Sequence, residues 1–141
     1  MYKYIAYLLI AAMLSISVPQ QSRADVPEAR SAALKFFKQN FSNRYFLHPR
    51  YYTSTLAEGE EAIIRIPVFK GNTYIFAAVG DSKVIDVDMY SYDEDGDRWA
   101  FDTTDRSFGA VSKRARWTGY ILVRVHAARG AGSVCVVTGH R

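Results

Sequence analysis

Asp86, Asp88, Asp93, Asp95, Asp97 and Asp102 crowd into one stretch that includes V-I-D-V-D-M-Y-S-Y-D-E-D-G-D, residues 84–97. Carboxylates this close repel one another unless they are solvated, paired with cations or shared by a metal ion. Ca²⁺ takes six to eight oxygen ligands, so Asp86, Asp88, Asp93 and Asp95 are the candidate ligands of a strand-and-turn calcium site. The competing reading is that Asp86 and Asp88 accept hydrogen bonds from turn backbones or pair with basic strands. An EF-hand does not fit. Ser91 would stand at its first position and Asp102 at its twelfth, where Asp and a bidentate Glu belong, and the flanks alternate like strands.

Catalysis has thinner support. The sequence holds no Gly-x-Ser-x-Gly elbow, His-Glu-x-x-His helix, phosphate loop or Cys/His cluster. Asp88 and Asp93 are the pair to weigh for a two-carboxylate hydrolase, which needs a cleft with a defined carboxylate separation. A small sandwich rarely offers one, so no catalytic residue is assigned. His48, His126 and His140 lie far apart in sequence and read as surface or packing residues rather than metal ligands. Cys135 is the only cysteine, set in Ser133-Val134-Cys135-Val136-Val137, so an internal disulfide is ruled out and a small buried hydrophobe is expected.

The elements that must carry these residues are strands. Ile85, Val87 and Met89 alternate with Asp86, Asp88, Tyr90 and Tyr92, the period of a strand with one dry and one wetter face. Asp93-Glu94-Asp95-Gly96 supplies the turn residues after it. Ile64, Ile66 and Val68 alternate in an earlier strand, where Pro67 argues for a sheet edge or a bulge. Thr73 to Val79 is apolar on both faces and reads as well buried. Arg98 to Phe101, Ser107 to Val111, Trp117 to Val125 and Gly132 to Thr138 complete about seven strands. With an apolar content of 49% and an aromatic content of 14%, the 141 residues can bury one core. The expected fold is mainly β, an antiparallel β-sandwich of jelly-roll or Greek-key type, with one N-terminal amphipathic helix.

That helix is read from about Pro27 to Asn40, with Asp25 as its cap and Ala29, Ala33, Phe36, Phe37 and Phe41 as one apolar stripe. Docking on the β domain is favoured over use as a partner-binding or membrane-surface helix. Arg44 to Tyr52 reads as an aromatic linker. Before the helix, Lys3, the apolar run Ile5 to Ile16, and Ser22-Arg23-Ala24 have the pattern of a signal peptide cleaved before Asp25. The domain layout is therefore 1–24 signal peptide, 25–50 helix and linker, and 51–141 β-sandwich. The chain is expected to be exported to the periplasm or secreted, with no transmembrane span after cleavage.

Charge is divided along the chain. Residues 25–141 hold sixteen basic and fourteen acidic residues, a net +2. Residues 81–105 carry a net −7 and residues 106–141 a net +7. Neighbouring acidic and basic strands can neutralise one another across a sheet, which argues against the coherent basic face of a nucleic-acid binder. The alternative is a basic patch at Lys113-Arg114-Ala115-Arg116 that meets polyanions or anionic envelope surfaces.

The order of motifs resembles the bacterial pre-peptidase C-terminal domain, a small jelly-roll module of exported proteins. Leu56-Ala57-Glu58-Gly59-Glu60 is similar to its Leu-x-x-Gly-Glu lead-in, and Gly71-Asn72-Thr73-Tyr74 to its Gly-x-x-Tyr segment. Asp86-Val87-Asp88-Met89-Tyr90 followed by Asp93-Glu94-Asp95-Gly96 is similar to its Asp-x-Asp-x-Tyr strand and Asp-x-x-Gly turn. Thr118-Gly119-Tyr120, set against its Gly-x-Tyr element, and Val123-Arg124-Val125, similar to its Val-x-Val strand, close the series. The resemblance covers about residues 56–138 and implies a non-catalytic accessory module, in some cases one that binds calcium or fibrous substrates. Such modules commonly trail a secreted protease, and no protease domain is present in this sequence.

Residues and resemblance together give an exported, non-catalytic binding or structural accessory module, with calcium as a candidate ligand. Its partner would be a protein, a carbohydrate or an envelope polymer. Tyr90, Tyr92 and Trp99 are the candidate contacts, because aromatic side chains supply flat contact area at low entropic cost. The competing class is a self-associating envelope protein that uses the helix or a sheet edge.

Overall fold

The computed structural model describes residues 25–141, and the predicted signal segment, 1–24, lies outside the described residues. Helix α1 (Asp25–Asn40) is followed by eight strands. These are β1 (Phe46–Leu56), β2 (Glu61–Val68), β3 (Thr73–Gly80), β4 (Asp86–Tyr92), β5 (Arg98–Asp102), β6 (Phe108–Arg114), β7 (Gly119–Arg129) and β8 (Gly132–His140). They form two four-stranded sheets in the orders β1-β8-β3-β6 and β2-β7-β4-β5, with every described pairing antiparallel. Successive strands alternate between the sheets except at the β4–β5 hairpin, which is jelly-roll connectivity.

Period-two patterning explains the layers. Val87 and Met89 of β4, Ile121, Val123 and Val125 of β7, and Phe76, Val134 and Val136 opposite them fill the space between the sheets. The second face of the β1-β8-β3-β6 sheet is also dry, because α1 lies on it. Ala29, Ala33 and Phe37 are buried there against Ile75, Ala77, Val79, Cys135 and Val137. This is why Thr73 to Val79 is apolar on both faces. Gly139 lets the helix approach: a Cβ at that position would stand 2.6 Å from the Phe37 ring. Two further contacts fix the helix, the Glu28 carboxylate accepting the Ser82 N–H at 2.9 Å and the Arg30 guanidinium 4.4 Å from the Tyr51 ring centroid.

Three sequence expectations need correction. The segment read as a linker, Arg44 to Tyr52, is largely strand β1, which pairs with β8 from Phe46 onward. The sandwich therefore has eight strands and begins at Phe46 rather than at residue 51. Alternation is weak there because β1 bulges between Leu47 and Tyr51, around Pro49, and so loses the period-two signature. Finally, Ile85 does not share the dry face of Val87 and Met89. It lies just before β4, next to the break in the β4–β7 register at Asp86, and is 59% exposed.

Pro67 sits on β2, an outer strand of its sheet, where the missing donor costs no ladder bond. Gly96, with φ +84°, closes the turn between β4 and β5.

Candidate functional site

Strand β4 divides the acidic residues instead of collecting them. At its start, Asp86 is buried opposite Arg129, with Nε 3.8 Å from its Oδ2, and Asp88 faces His126, with Nδ1 3.8 Å from its Oδ2. Beyond its end, Asp93 Oδ1 accepts the N–H groups of Asp95 (3.0 Å) and Asp97 (2.9 Å), and Asp95 is exposed. An extended strand rises about 3.3 Å per residue, so the two pairs stand roughly 20 Å apart. The Asp86 Oδ1 has no hydrogen-bond partner among the described residues. Among the described residues no group of three or more His, Cys, Asp or Glu is placed to hold a metal ion. The four carboxylates thus do not form a shared cage. Their visible work is charge pairing across β4 and β7 and turn formation.

The same geometry separates Asp88 from Asp93 by about 16 Å along the strand. Two-carboxylate hydrolases hold their pair roughly 5–9.5 Å apart.

Two aspartates titrate away from the ordinary range, in opposite directions. Burial pushes the Asp88 carboxyl up, the Asp86 carboxylate adds to this, and His126 opposes it. Burial also acts to raise Asp102. It is outweighed by the Thr104 hydroxyl, the Ala110 and Thr104 N–H groups and the Arg106 guanidinium, which together hold Asp102 low. The bond from Ala110 N–H to Asp102 Oδ2 (3.1 Å) links β5 to β6, and so clips one sheet to the other.

Trp99 is a core residue. It is 8% exposed, with ring centroids 6.1 Å from Phe76 and 6.0 Å from Trp117, so it offers no contact surface. The strand parity that puts Tyr90 and Tyr92 outward on β4 puts Trp99 inward on β5.

Tyr90 and Tyr92 do lie on a surface, the outer face of the β2-β7-β4-β5 sheet. Register aligns Ile63, Arg124, Tyr90 and Phe101 in one row across all four strands. The next row is Arg65, Leu122, Tyr92 and Arg98. Arg124 Cζ lies 4.5 Å from the Tyr90 centroid and 5.6 Å from that of Tyr92, while Tyr90 stacks on Phe101 at 6.5 Å. Arg65 covers Tyr120 at 3.7 Å and Arg98 covers Phe101 at 4.6 Å. Cation–π contact holds these guanidinium groups flat and preorganised. Glu61 anchors one of them, 3.4 Å from Arg124 Nε. Ile63 and Phe101 remain 63% and 54% exposed. Sequence reading picked out the two tyrosines and missed the arginines. The signal available was the outward alternation Tyr120, Leu122, Arg124, His126 on β7.

A second concave feature lies between the two sheets where the outer strands β1 and β2 meet. It is a cavity of about 180 Å³ that brings together His48 on the β1 bulge and His140 at the end of β8. Two histidines read as unrelated in the sequence are thus neighbours.

No protein-family model and no curated protein sequence matches the chain. Among solved structures, the chain is similar to the crystal structure of Aeromonas hydrophila PliG, a periplasmic lysozyme inhibitor of g-type lysozyme. The identity is 12%, covering 72% of this chain and 92% of that one, with a TM-score of 0.52. It also matches the solution structure of a de novo designed double-stranded β-helix at 12% identity, over 65% of this chain and 99% of that one, with a TM-score of 0.37. What the chain shares with PliG is the fold.

Proposed function

We propose that the protein is an exported, non-catalytic binding module that engages a protein partner through the outer face of the β2-β7-β4-β5 sheet. The observation that carries this reading is the preorganised row of Ile63, Arg124, Tyr90 and Phe101 beside Arg65 and Arg98. Tyr and Arg dominate binding hot spots, and an isoleucine and a phenylalanine more than half exposed on the two outer strands flank them with apolar surface for a partner to cover. The arginines favour a partner that brings carboxylates to the rim. Export is supported by the signal-like residues 1–24. Among the described residues, no helix is long and apolar enough to cross a membrane.

The lysozyme-inhibiting neighbour makes g-type lysozyme the first partner to test. Surface-immobilised mature chain is expected to bind the enzyme with a Kd of micromolar or better. Arg124→Ala and Tyr90→Ala should each weaken binding about tenfold or more, the loss typical of a hot-spot truncation. Binding to isolated peptidoglycan in preference to proteins would overturn the protein-partner reading. Hydrolysis of glycoside or peptide substrates would overturn the non-catalytic one.

A further inference from the structure

The cavity at the β1–β2 edge has the chemistry of a ligand site. Thr138 is 4% exposed, lines the cavity, and its Oγ1 has no hydrogen-bond partner among the described residues. A buried hydroxyl rarely stays unpartnered unless something outside the protein takes its proton. Tyr74 also lines the cavity. Its hydroxyl oxygen accepts the Phe69 N–H at 2.8 Å and the Asn72 side-chain N–H at 3.3 Å, so its own proton is left to donate. His48 Nδ1 accepts the Arg50 N–H at 3.3 Å, which places the proton of the neutral ring on Nε2. Arg50 also lines the cavity, so a cation stands at it, and no Asp or Glu lines it among the described residues. The remaining wall is apolar, from Ile66 and Phe69. A cavity of about 150 Å³ holds a benzene molecule, so this one, at about 180 Å³, has room for a ring and a small polar head.

We propose that this cavity binds a small organic carboxylate. Its oxygens take the Thr138 and Tyr74 hydroxyls and the Arg50 guanidinium, and its hydrocarbon part lies on Ile66 and Phe69. The β1 bulge is what opens the site, since it lifts residues 48–50 out of register with β8 and sets His48 and Arg50 at the mouth. The carboxylate belongs either to a free acid or to the C terminus of a peptide; the chemistry of recognition is the same.

Titration calorimetry on the mature chain tests this with benzoate, benzyl alcohol, inorganic phosphate, and the peptide Gly-Gly-Phe as free acid and as amide. The expected result is saturable benzoate binding at least tenfold tighter than that of benzyl alcohol or phosphate. Thr138→Val and Arg50→Gln should each weaken it tenfold or more. Thr138→Val should leave the unliganded melting temperature unchanged or raised, because it removes an unpartnered hydroxyl. Competition by the free-acid peptide, but not its amide, supports the site with a chain terminus as the source; exclusion of the peptide supports a free acid. Benzoate binding no tighter than benzyl alcohol, phosphate binding as tightly as benzoate, or binding indifferent to both substitutions would overturn the proposal.

Discussion

Asp81 carries the turn between β3 and β4. It is 2% exposed, and its carboxylate accepts the N–H groups of Lys83 (2.9 Å), Val84 (3.3 Å) and Ser133 (2.8 Å). Asp81→Ala leaves those donors unmatched and should cost about 3 kcal/mol in urea denaturation. Asp88 and Asp102 should bend the pH profile in opposite senses. Asp88, raised by burial, contributes stability fully below its unfolded value and loses it as pH rises through the folded one. Asp102, held low despite its burial, contributes above its unfolded value and loses this as pH falls through the folded one. Denaturation across about pH 3 to 6 should therefore show Asp88→Asn removing a decline toward high pH, and Asp102→Asn removing a gain. Burial pushes the Cys135 thiol up to about 11, so iodoacetamide should label it only after unfolding. The buried cysteine was legible in its flanking valines. The role of Asp81 was not, because its third donor arrives from Ser133 on another strand.

At the level of elements, helix and sheet meet at a single tight point. A Cβ on Gly139 would lie 2.6 Å from the Phe37 ring and 2.9 Å from Ile75, so Gly139→Ala should destabilise by about 1–3 kcal/mol. In a Phe37→Leu background the same substitution should cost less, and a double-mutant cycle by chemical denaturation measures the difference. The apolar stripe announced this docking, since Ala29, Ala33 and Phe37 share one face at helical spacing. It also removes the helix as a free self-association surface. Two of the four outer strands are poor templates for pairing, because β2 carries Pro67 and β1 carries the bulge around Pro49. That bulge is the reason β1 was read as a linker, and it also shapes the cavity. The irregular segment that hides from period-two reading is the one that builds a concave site.

Across the whole molecule, opposite charges that sit far apart in sequence become neighbours. Asp86 meets Arg129 and Asp88 meets His126 because β4 pairs with β7. The charge division in the chain was thus a usable guide to strand partners, whereas the Arg–Tyr surface depended on register and stayed hidden. One sheet is roofed by α1 and the other is bare, so the molecule has one open broad face. The pairing of β1 with β8 has a further consequence. Phe46 lies opposite His140, roughly 90 residues away along the chain, and nonlocal pairing of this kind slows folding. Refolding from urea, followed by Trp99 fluorescence, should take milliseconds to seconds rather than microseconds. The β1-β8-β3-β6 sheet therefore cannot be completed until β8 has left the ribosome, so β1 spends the synthesis of every intervening strand without its partner.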